Sequence, residues 1–508
     1  MLAGSQDEVI AFLTSEAGWG GGSETPRRIE THISLVILSG PHAIKLKRAV
    51  RLGYVDFSTP QRRLAACERE LALNRRTAPG LYRAVRRITR RSDGRLVLDG
   101  DGPLVDAVVE MARFDEGGLF DRLAVRGALA KPILTELANR IAAFHGSAEV
   151  ASSSDGAGRM AAVLDINEGA FAATRIFPQA EVAALAAAFR SRLSALSDLL
   201  DTRARAGKVR RCHGDLHLRN ICLVDGRPTL FDCLEFDESL ATTDVLYDIA
   251  FLLMDLWHRG LRAEANLVLN RYLDARDEED GLPLLPFLMA VRAAVRAHVT
   301  ATQAEGGDEA RREEAHAYFA LARTLLESRP ARLIAVGGLS GSGKSTVAAA
   351  LAPEIGPAPG GRILASDRIR KRRFGVAAET RLPAEAYRSV VSDAVYAELD
   401  AAAGRIAGLG HGVVADAVFG RPEERARIAA SAVAAGVPFT GIWLDADPER
   451  LLRRVRERTG DVSDATPEVV AEQLARSPGA IAWTRVPADT EAGTVRERAL
   501  DAIRPATA

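Results

Sequence analysis

The run His213-Gly214-Asp215-Leu216-His217-Leu218-Arg219-Asn220, followed by Leu230-Phe231-Asp232, brings together the residue types that phosphoryl transfer requires. Moving a phosphoryl group from a nucleoside triphosphate to a hydroxyl needs a carboxylate to orient and deprotonate the attacking oxygen. It also needs oxygen ligands that hold a divalent cation between the phosphates. Asp215 fits the base. Asn220 and Asp232 fit the metal, one amide oxygen and one carboxylate of the hard type that Mg2+ favours. A second constellation lies far downstream, in Gly338-Leu339-Ser340-Gly341-Ser342-Gly343-Lys344-Ser345-Thr346. Its glycines let successive backbone N–H groups wrap phosphate oxygens, Lys344 reaches the outer phosphates and Ser345 sets its hydroxyl on Mg2+. ATP and Mg2+ are therefore the expected cofactors of both constellations.

The elements around these motifs follow from hydrophobic period and turn residues. Three short strands are predicted at Ile29 to Ser34, Leu35 to Ser39 and Ala43 to Arg48, with a turn at Ser39-Gly40-Pro41. A helix follows from Thr59 to Arg76, then strands at Val85 to Thr89, Leu96 to Asp99 and Val105 to Met111. The stretches 118–207 and 244–326 read as mostly helical. The segment Gly18-Trp19-Gly20-Gly21-Gly22 reads as flexible. Ser328-Arg329-Pro330 breaks the pattern, and beyond it strands at Leu333, Ile363, Val413 and Ile442 alternate with helices, the pattern of a parallel sheet covered on both faces. The expected domains are thus 1–328 and 329–508.

The first motif resembles the aminoglycoside phosphotransferase and eukaryotic-like kinase superfamily, whose catalytic loop reads HGDxHxxN and whose metal-binding Asp follows on the next strand. That resemblance implies an α+β protein-kinase-like domain, a small antiparallel sheet lobe plus a helical lobe, with His217 framing the loop. It implies a lysine on the nucleotide phosphates, held by a helix carboxylate. Lys45 and Lys47 lie on one face of one strand, and either could serve; Lys45, which falls where the family's lysine does, is preferred, with a solvated strand end as the other reading of Lys47. Glu70 or Glu68 is the partner, Glu70 preferred. The family's phosphate loop falls at Thr31 to Ser34, where Ser34 offers a hydroxyl and a backbone N–H. No G-x-G-x-x-G occurs there, and Leu218-Arg219 replaces the Pro-Gly of antibiotic-modifying members.

The second half resembles small P-loop kinases of the polynucleotide, zeta-toxin, gluconate and chloramphenicol kinase group, an α/β P-loop NTPase fold. In Ser366-Asp367-Arg368-Ile369-Arg370 the resemblance makes Asp367 the base and Arg370 a substrate contact. Asp416, ending the strand Val413-Val414-Ala415-Asp416, either meets a metal-bound water or substrate, or caps the strand. Of Arg453, Arg454, Arg456 and Arg458, where the resemblance implies a mobile lid, Arg454 and Arg458, one turn apart, are favoured as the arginines set against phosphoryl charge, with others of the four solvated. The whole chain resembles bacterial bifunctional aminoglycoside phosphotransferase and ATP-binding proteins.

Composition bounds the rest. At 508 residues the chain exceeds a single core. Lys plus Arg and Asp plus Glu both number 67, so no net field draws it to nucleic acid or anionic membrane. The apolar stretch 245–257, interrupted by Asp248 and Asp255, is too short to span a bilayer. No secretory pattern opens the chain, and a cytoplasmic location is expected. The acidic run 274–280 reads as a solvated loop, with recognition of a cationic substrate as the alternative. Cys67, Cys212, Cys222 and Cys233 read as reduced thiols in apolar positions. The expected partner is a small hydroxyl-bearing molecule, a sugar or aminocyclitol. Two rivals stand beside it, a nucleotide-driven regulatory switch and a nucleic-acid 5'-hydroxyl kinase. Oligomeric state is not legible.

Overall fold

The computed structural model describes residues 6–15, 18–19, 25–52, 55–457 and 463–504; most of the glycine segment 18–22 lies outside them. An antiparallel sheet opens the chain, from β1 (Arg27–Glu30), β2 (Ser34–Ser39), β3 (His42–Lys47), β4 (Tyr82–Arg90), β5 (Leu96–Leu98) and β6 (Leu104–Ala112), in the order β1-β2-β3-β6-β4-β5. Alternation on β3 sends Ile44 and Leu46 into a core with Leu35, Ile37, Ile88 and Val108, which α1 (Asp7–Leu13) closes with Val9, Phe12 and Leu13. Lys45 and Lys47 therefore take the opposite face, toward α2 (Pro60–Asn74). Thr59 caps that helix through its hydroxyl, with Pro60 behind it, and the helix buries Arg63, Ala66, Cys67, Glu70 and Asn74 on one stripe.

The first strand ends at Glu30 rather than at Ser34. Thr31 donates from its N–H and its hydroxyl to Ser34 O, and Ser34 N donates back to Thr31 Oγ1, which closes the chain into a turn.

The helical part comprises α3 (Lys131–Ser147), α4 (Gly156–Ala173), α5 (Gln179–Arg205), α6 (Val245–His258), α7 (Arg262–Ala275), α8 (Leu285–Ala304) and α9 (Glu309–Leu326). Among the described residues one helical stretch, Glu279–Ala304, is long and apolar enough to cross a membrane, and 72% of its apolar window is buried within the protein.

The last part is a parallel sheet of β9 (Leu333–Gly337), β10 (Arg362–Ala365), β11 (Val413–Asp416), β12 (Phe439–Asp445) and β13 (Thr484–Pro487), in the order β10-β11-β9-β12-β13. Its helices are α10 (Lys344–Leu351), α11 (Ser366–Arg373), α12 (Ser389–Gly408), α13 (Pro422–Ala434), α14 (Pro448–Glu457), α15 (Pro467–Ala475) and α16 (Ala492–Ile503). Every residue of central β9 is buried, as a strand covered on both faces requires. The edge strand β13 was not expected from sequence: Thr484-Arg485-Val486-Pro487 buries only Val486 and carries no apolar run.

In space the chain forms two compact units, residues 1–163 with 197–255, and residues 164–196 with 256–508. The helices between 256 and 326 thus cluster with the parallel sheet although they precede the Ser328-Arg329-Pro330 break. The acidic run shows how. It is not a solvated loop: Glu278 and Glu279 are buried, and Asp274 and Glu279 pair with Arg362 of β10. Asn270 Oδ1 accepts Ile363 N at 2.7 Å, while Asn266 and Asn270 donate to Gly361 O at 3.0 and 3.2 Å. Two α7 amides therefore satisfy backbone groups on the open side of the edge strand β10, which would otherwise invite pairing with another chain.

Candidate active sites

In the first unit the HGDxHxxN loop leads into a β-ribbon whose turn-back ends at Asp232. Asn220 Nδ2 donates to Asp215 Oδ2 at 2.8 Å and to Asp215 O at 3.0 Å, and His217 Nε2 lies 3.4 Å from the same carboxylate. With its NH2 spent on Asp215, the Asn220 side chain has its carbonyl oxygen left for a cation. The loop is held from outside the motif. Asp248 of α6 accepts His213 N at 3.1 Å and Gly214 N at 2.7 Å, and its Oδ2 lies 3.1 Å from His145 Nε2. One step on, Asp255 accepts Leu218 N at 3.0 Å. Gly214 stands at φ 83°, and a Cβ there would meet Ala241 Cβ and Leu234 Cβ at 2.9 Å, so no side chain fits.

Asp232 itself is left-handed at φ 62°, a conformation that costs a non-glycine residue roughly 1 kcal/mol. Tyr82 Oη accepts its N–H at 3.2 Å and Asn74 Oδ1 accepts Cys233 N at 2.9 Å, which fixes the turn. Lys45 Nζ then bridges Glu70 Oε1 at 2.8 Å and Asp232 Oδ1 at 2.5 Å. Glu68 is exposed and takes no part. Lys47 is not a solvated strand end: it is fully buried, 2.5 Å from Glu70 Oε2 and paired with Glu235. Burial works against both ammonium groups, yet Asp232 and Glu70 outweigh it at Lys45, and Glu70 and Glu235 at Lys47, so both pKa values rise. Burial also opposes the Glu70 carboxylate, and the two lysines overcome it, holding that pKa well below the usual range. Ser34 cannot offer its N–H, which Thr31 Oγ1 takes; its buried hydroxyl has no partner among the described residues.

The second candidate site lies at the C-terminal ends of three adjacent strands of the parallel sheet: the glycine-rich loop 338–343 follows β9, Asp367 follows β10, and Asp416 ends β11. Gly338, Gly341 and Gly343 stand at φ 139°, 87° and 94°, backbone conformations that glycine adopts without a Cβ clash. A Cβ on Gly338 would fall 2.7 Å from Leu444 O and one on Gly341 2.8 Å from Leu451 O. Lys344 opens α10 and donates to Leu339 O at 3.0 Å; Ser345 and Thr346 are exposed in the same turn. Ser342 Oγ is buried with no partner among the described residues, an orphan that fits a ligand-binding loop. Ser340 N donates to Gln473 Oε1 at 2.9 Å, and Gln473 Nε2 donates to Ser340 Oγ at 3.1 Å.

Burial pushes the Asp367 carboxyl up, while a hydrogen bond from Ser463 and the charges of Lys344 and Arg370 oppose that rise. Asp416 is buried, flanked in register by Val336 and Ala365. The guanidinium of Arg370 is engaged within the protein, donating to Ala386 O at 2.6 Å and lying 4.7 Å over the Tyr387 ring. Arg454 reaches Gly341 O at 3.3 Å and Ala488 O at 3.0 Å. Arg458 lies outside the described residues.

Sequence reasoning named the motif residues and missed their holders: Asp248, Asp255, Tyr82, Asn74 and Gln473. Asp248 and Asp255 left a signal, two carboxylates two turns apart in an otherwise apolar helix.

Much of each site falls within a match to a known family, while Ser34, Lys45 and Lys47 precede the first match. Residues 50–284 match the model of the phosphotransferase enzyme family, and residues 333–479 match an AAA domain. Uncharacterized proteins of Mycobacterium tuberculosis and Mycobacterium bovis are 30% identical over 459 residues, 88% of this chain and 89% of theirs. The chain belongs to this family, in which a phosphotransferase-type domain precedes a P-loop kinase-type domain. A choline/ethanolamine kinase family protein from Mesorhizobium loti shares 15% identity with a TM-score of 0.41, covering 64% of this chain and 95% of that one. A gluconokinase from Sinorhizobium meliloti shares 21% identity with a TM-score of 0.25, covering 35% and 93%. The antiparallel sheet with its helices and the parallel sheet with its phosphate-binding loop are the two kinase-type folds expected from sequence.

Proposed function

We propose that each domain binds Mg-ATP and transfers its γ-phosphate to the hydroxyl of a small molecule, a sugar or an aminocyclitol. The observation that carries this reading is the ion cluster of the first unit. A buried glutamate holds Lys45 against Asp232, while Asp215 sits in the hydrogen bonds of Asn220. A protein that only sensed nucleotide would need no such base.

In the first site Asp215 takes the proton of the acceptor hydroxyl as the hydroxyl oxygen attacks the γ-phosphorus, and ADP leaves as the bond between that phosphorus and the β–γ bridging oxygen breaks. Lys45 would meet the phosphates, and Asn220 and Asp232 would supply the oxygen ligands for the metal. In the second, Asp367 is the base, Lys344 and the loop amides would hold the phosphates, Ser345 would ligate the metal, and Asp416 and Arg370 are assigned to substrate contact, for which Arg370 has to leave Ala386 O and the Tyr387 ring. Arg454 and Arg458 belong to the lid. Magnesium, when bound, offsets charge on the β- and γ-phosphates. Balanced overall charge supports a small-molecule acceptor rather than nucleic acid, and a cytoplasmic location suits the use of ATP.

The test is Mg-ATP turnover against a pooled small-molecule extract, with phosphorylated products detected by mass, for wild type, Asp215→Ala and Lys344→Ala. Each variant is expected to lose its own product. If all three bind ATP and none makes product, the chain is a nucleotide switch and the kinase reading is wrong.

A further inference from the structure

Asp274 closes α7, in the acidic run that the two sites leave unused. Its carboxylate meets three guanidinium groups: Arg271 at 2.6 Å, Arg362 at 2.7 Å and Arg368 at 3.2 Å. The last two are not arbitrary surface cations. Arg362 opens β10 and Arg368 lies in the first turn of α11, so they bracket the strand-to-helix turn that presents Asp367.

Arg362 is only 2% exposed, and Glu279 Oε1 at 3.0 Å and Asn270 O and Oδ1 at 3.2 Å share it with Asp274. A buried guanidinium needs that company to offset lost hydration. Arg368 does not. Its side chain is 20% exposed and water would serve it, so tying it down costs side-chain entropy for little stability. What the tie does fix is the turn. The far end of α11 is pinned as well, by Lys371 Nζ to Asp464 at 2.7 Å.

We propose that Asp274 is a positioning residue of the second site. By gripping Arg362 and Arg368 together it staples the turn that carries Asp367, so the P-loop machinery includes a residue from a helix that precedes the phosphate-binding loop by some sixty residues of chain. The proposal rests on the reading of Asp367 as the base. A staple acts on the placement of the base relative to an acceptor and leaves nucleotide binding alone, since the phosphate-binding loop hangs from a different strand.

The experiment is carried out on the full chain in an Asp215→Ala background, which silences the first site. ADP formed from Mg-ATP and the acceptor pool is measured over the Lys344→Ala blank, beside amide hydrogen exchange over residues 364–370. Arg368→Gln leaves the buried Arg362 paired with Asp274 and Glu279, so it is the variant that keeps the fold. It is expected to lower kcat about ten-fold or more with KM for ATP changed less than about two-fold, and to speed exchange at 364–370. Arg368→Lys should recover part of the loss. The double variant Asp274→Asn with Arg368→Gln should be no worse than the poorer single variant, as residues acting through one contact are not additive.

If Asp367→Asn abolishes turnover while Arg368→Gln and Asp274→Asn leave kcat and exchange at wild-type values, the staple is wrong and the base reading stands. Equal losses in kcat and in ATP affinity would also overturn it, as a general weakening of the fold. If Asp367→Asn keeps its turnover, the base reading fails and this proposal falls with it.

Discussion

Asp248 shows what a single side chain contributes without touching a reactant. Its carboxylate accepts the two N–H groups that open the HGDxHxxN loop, both out of reach of water. Leaving a buried donor unpaired costs about 1–3 kcal/mol, so Asp248→Ala should lower stability by roughly 2–5 kcal/mol. A denaturant midpoint for the first unit reads this directly, and an unchanged midpoint means the loop is held by something else. Asp215-dependent product should vanish with it. Asp367 presents the opposite bargain. Burial favours its neutral form, so its folded pKa lies above the unfolded value near 4. A base must be deprotonated, so kcat/KM of the second site should fall as pH drops through a pKa above the ordinary carboxylate range. For stability the sign reverses: a raised carboxyl pKa favours the fold at low pH and counts against it once pH exceeds the unfolded pKa. Asp367→Asn should therefore abolish turnover at pH 7 while leaving the melting temperature equal or higher. A melting temperature that falls would show that the charged form is the stabilising one. Candidate residues such as Asp215, Asn220 and Lys344 could be named from sequence because their types and spacing suggest a chemistry. Asp248 and Gln473 were not, because an anchoring role depends on what lies beside a residue in space. Lys47 was misread for the same reason: alternation gave its face, and only the fold shows that Glu70 and Glu235 wait there.

Among the elements, the long helices and the β3 alternation were readable from period alone, and the strand starts agreed to within a few residues. The edge strand β13 escaped because it buries a single side chain and so has no period. The turn at 31–33 escaped because a threonine hydroxyl, rather than glycine or proline, closes it. Helix α15 carries a contact with a measurable effect. Gln473 occupies the N–H and hydroxyl of Ser340 in the phosphate-binding loop. A phosphate oxygen that takes this amide has to displace the glutamine, and an occupied loop lowers apparent affinity by the fraction of time it is closed. Gln473→Ala is therefore expected to tighten ATP binding to the second site several-fold, as read by the KM for ATP of the turnover that remains in the Asp215→Ala protein. Weaker binding would mean that the amide contacts the nucleotide itself.

At the scale of the whole chain, sequence places a break at Ser328-Arg329-Pro330, and the packing runs across it. Expressed alone, residues 329–508 would present β10 without the Asn266 and Asn270 amides and Arg362 without its two carboxylates. That fragment should self-associate at a bare sheet edge, whereas a fragment that also carries 164–196 and 256–328 should not. Sedimentation of the two fragments at equal concentration decides, and a monodisperse 329–508 would show the edge to be harmless. The amides that cap β10 also have a consequence in time. Helix α7 ends at Ala275 and β10 begins at Arg362. At roughly 5–20 residues per second a ribosome releases the helix several seconds before the strand. The partner for the vulnerable edge is thus already made when the edge emerges, and the order of the gene sets the order in which the hazard and its remedy reach the cell.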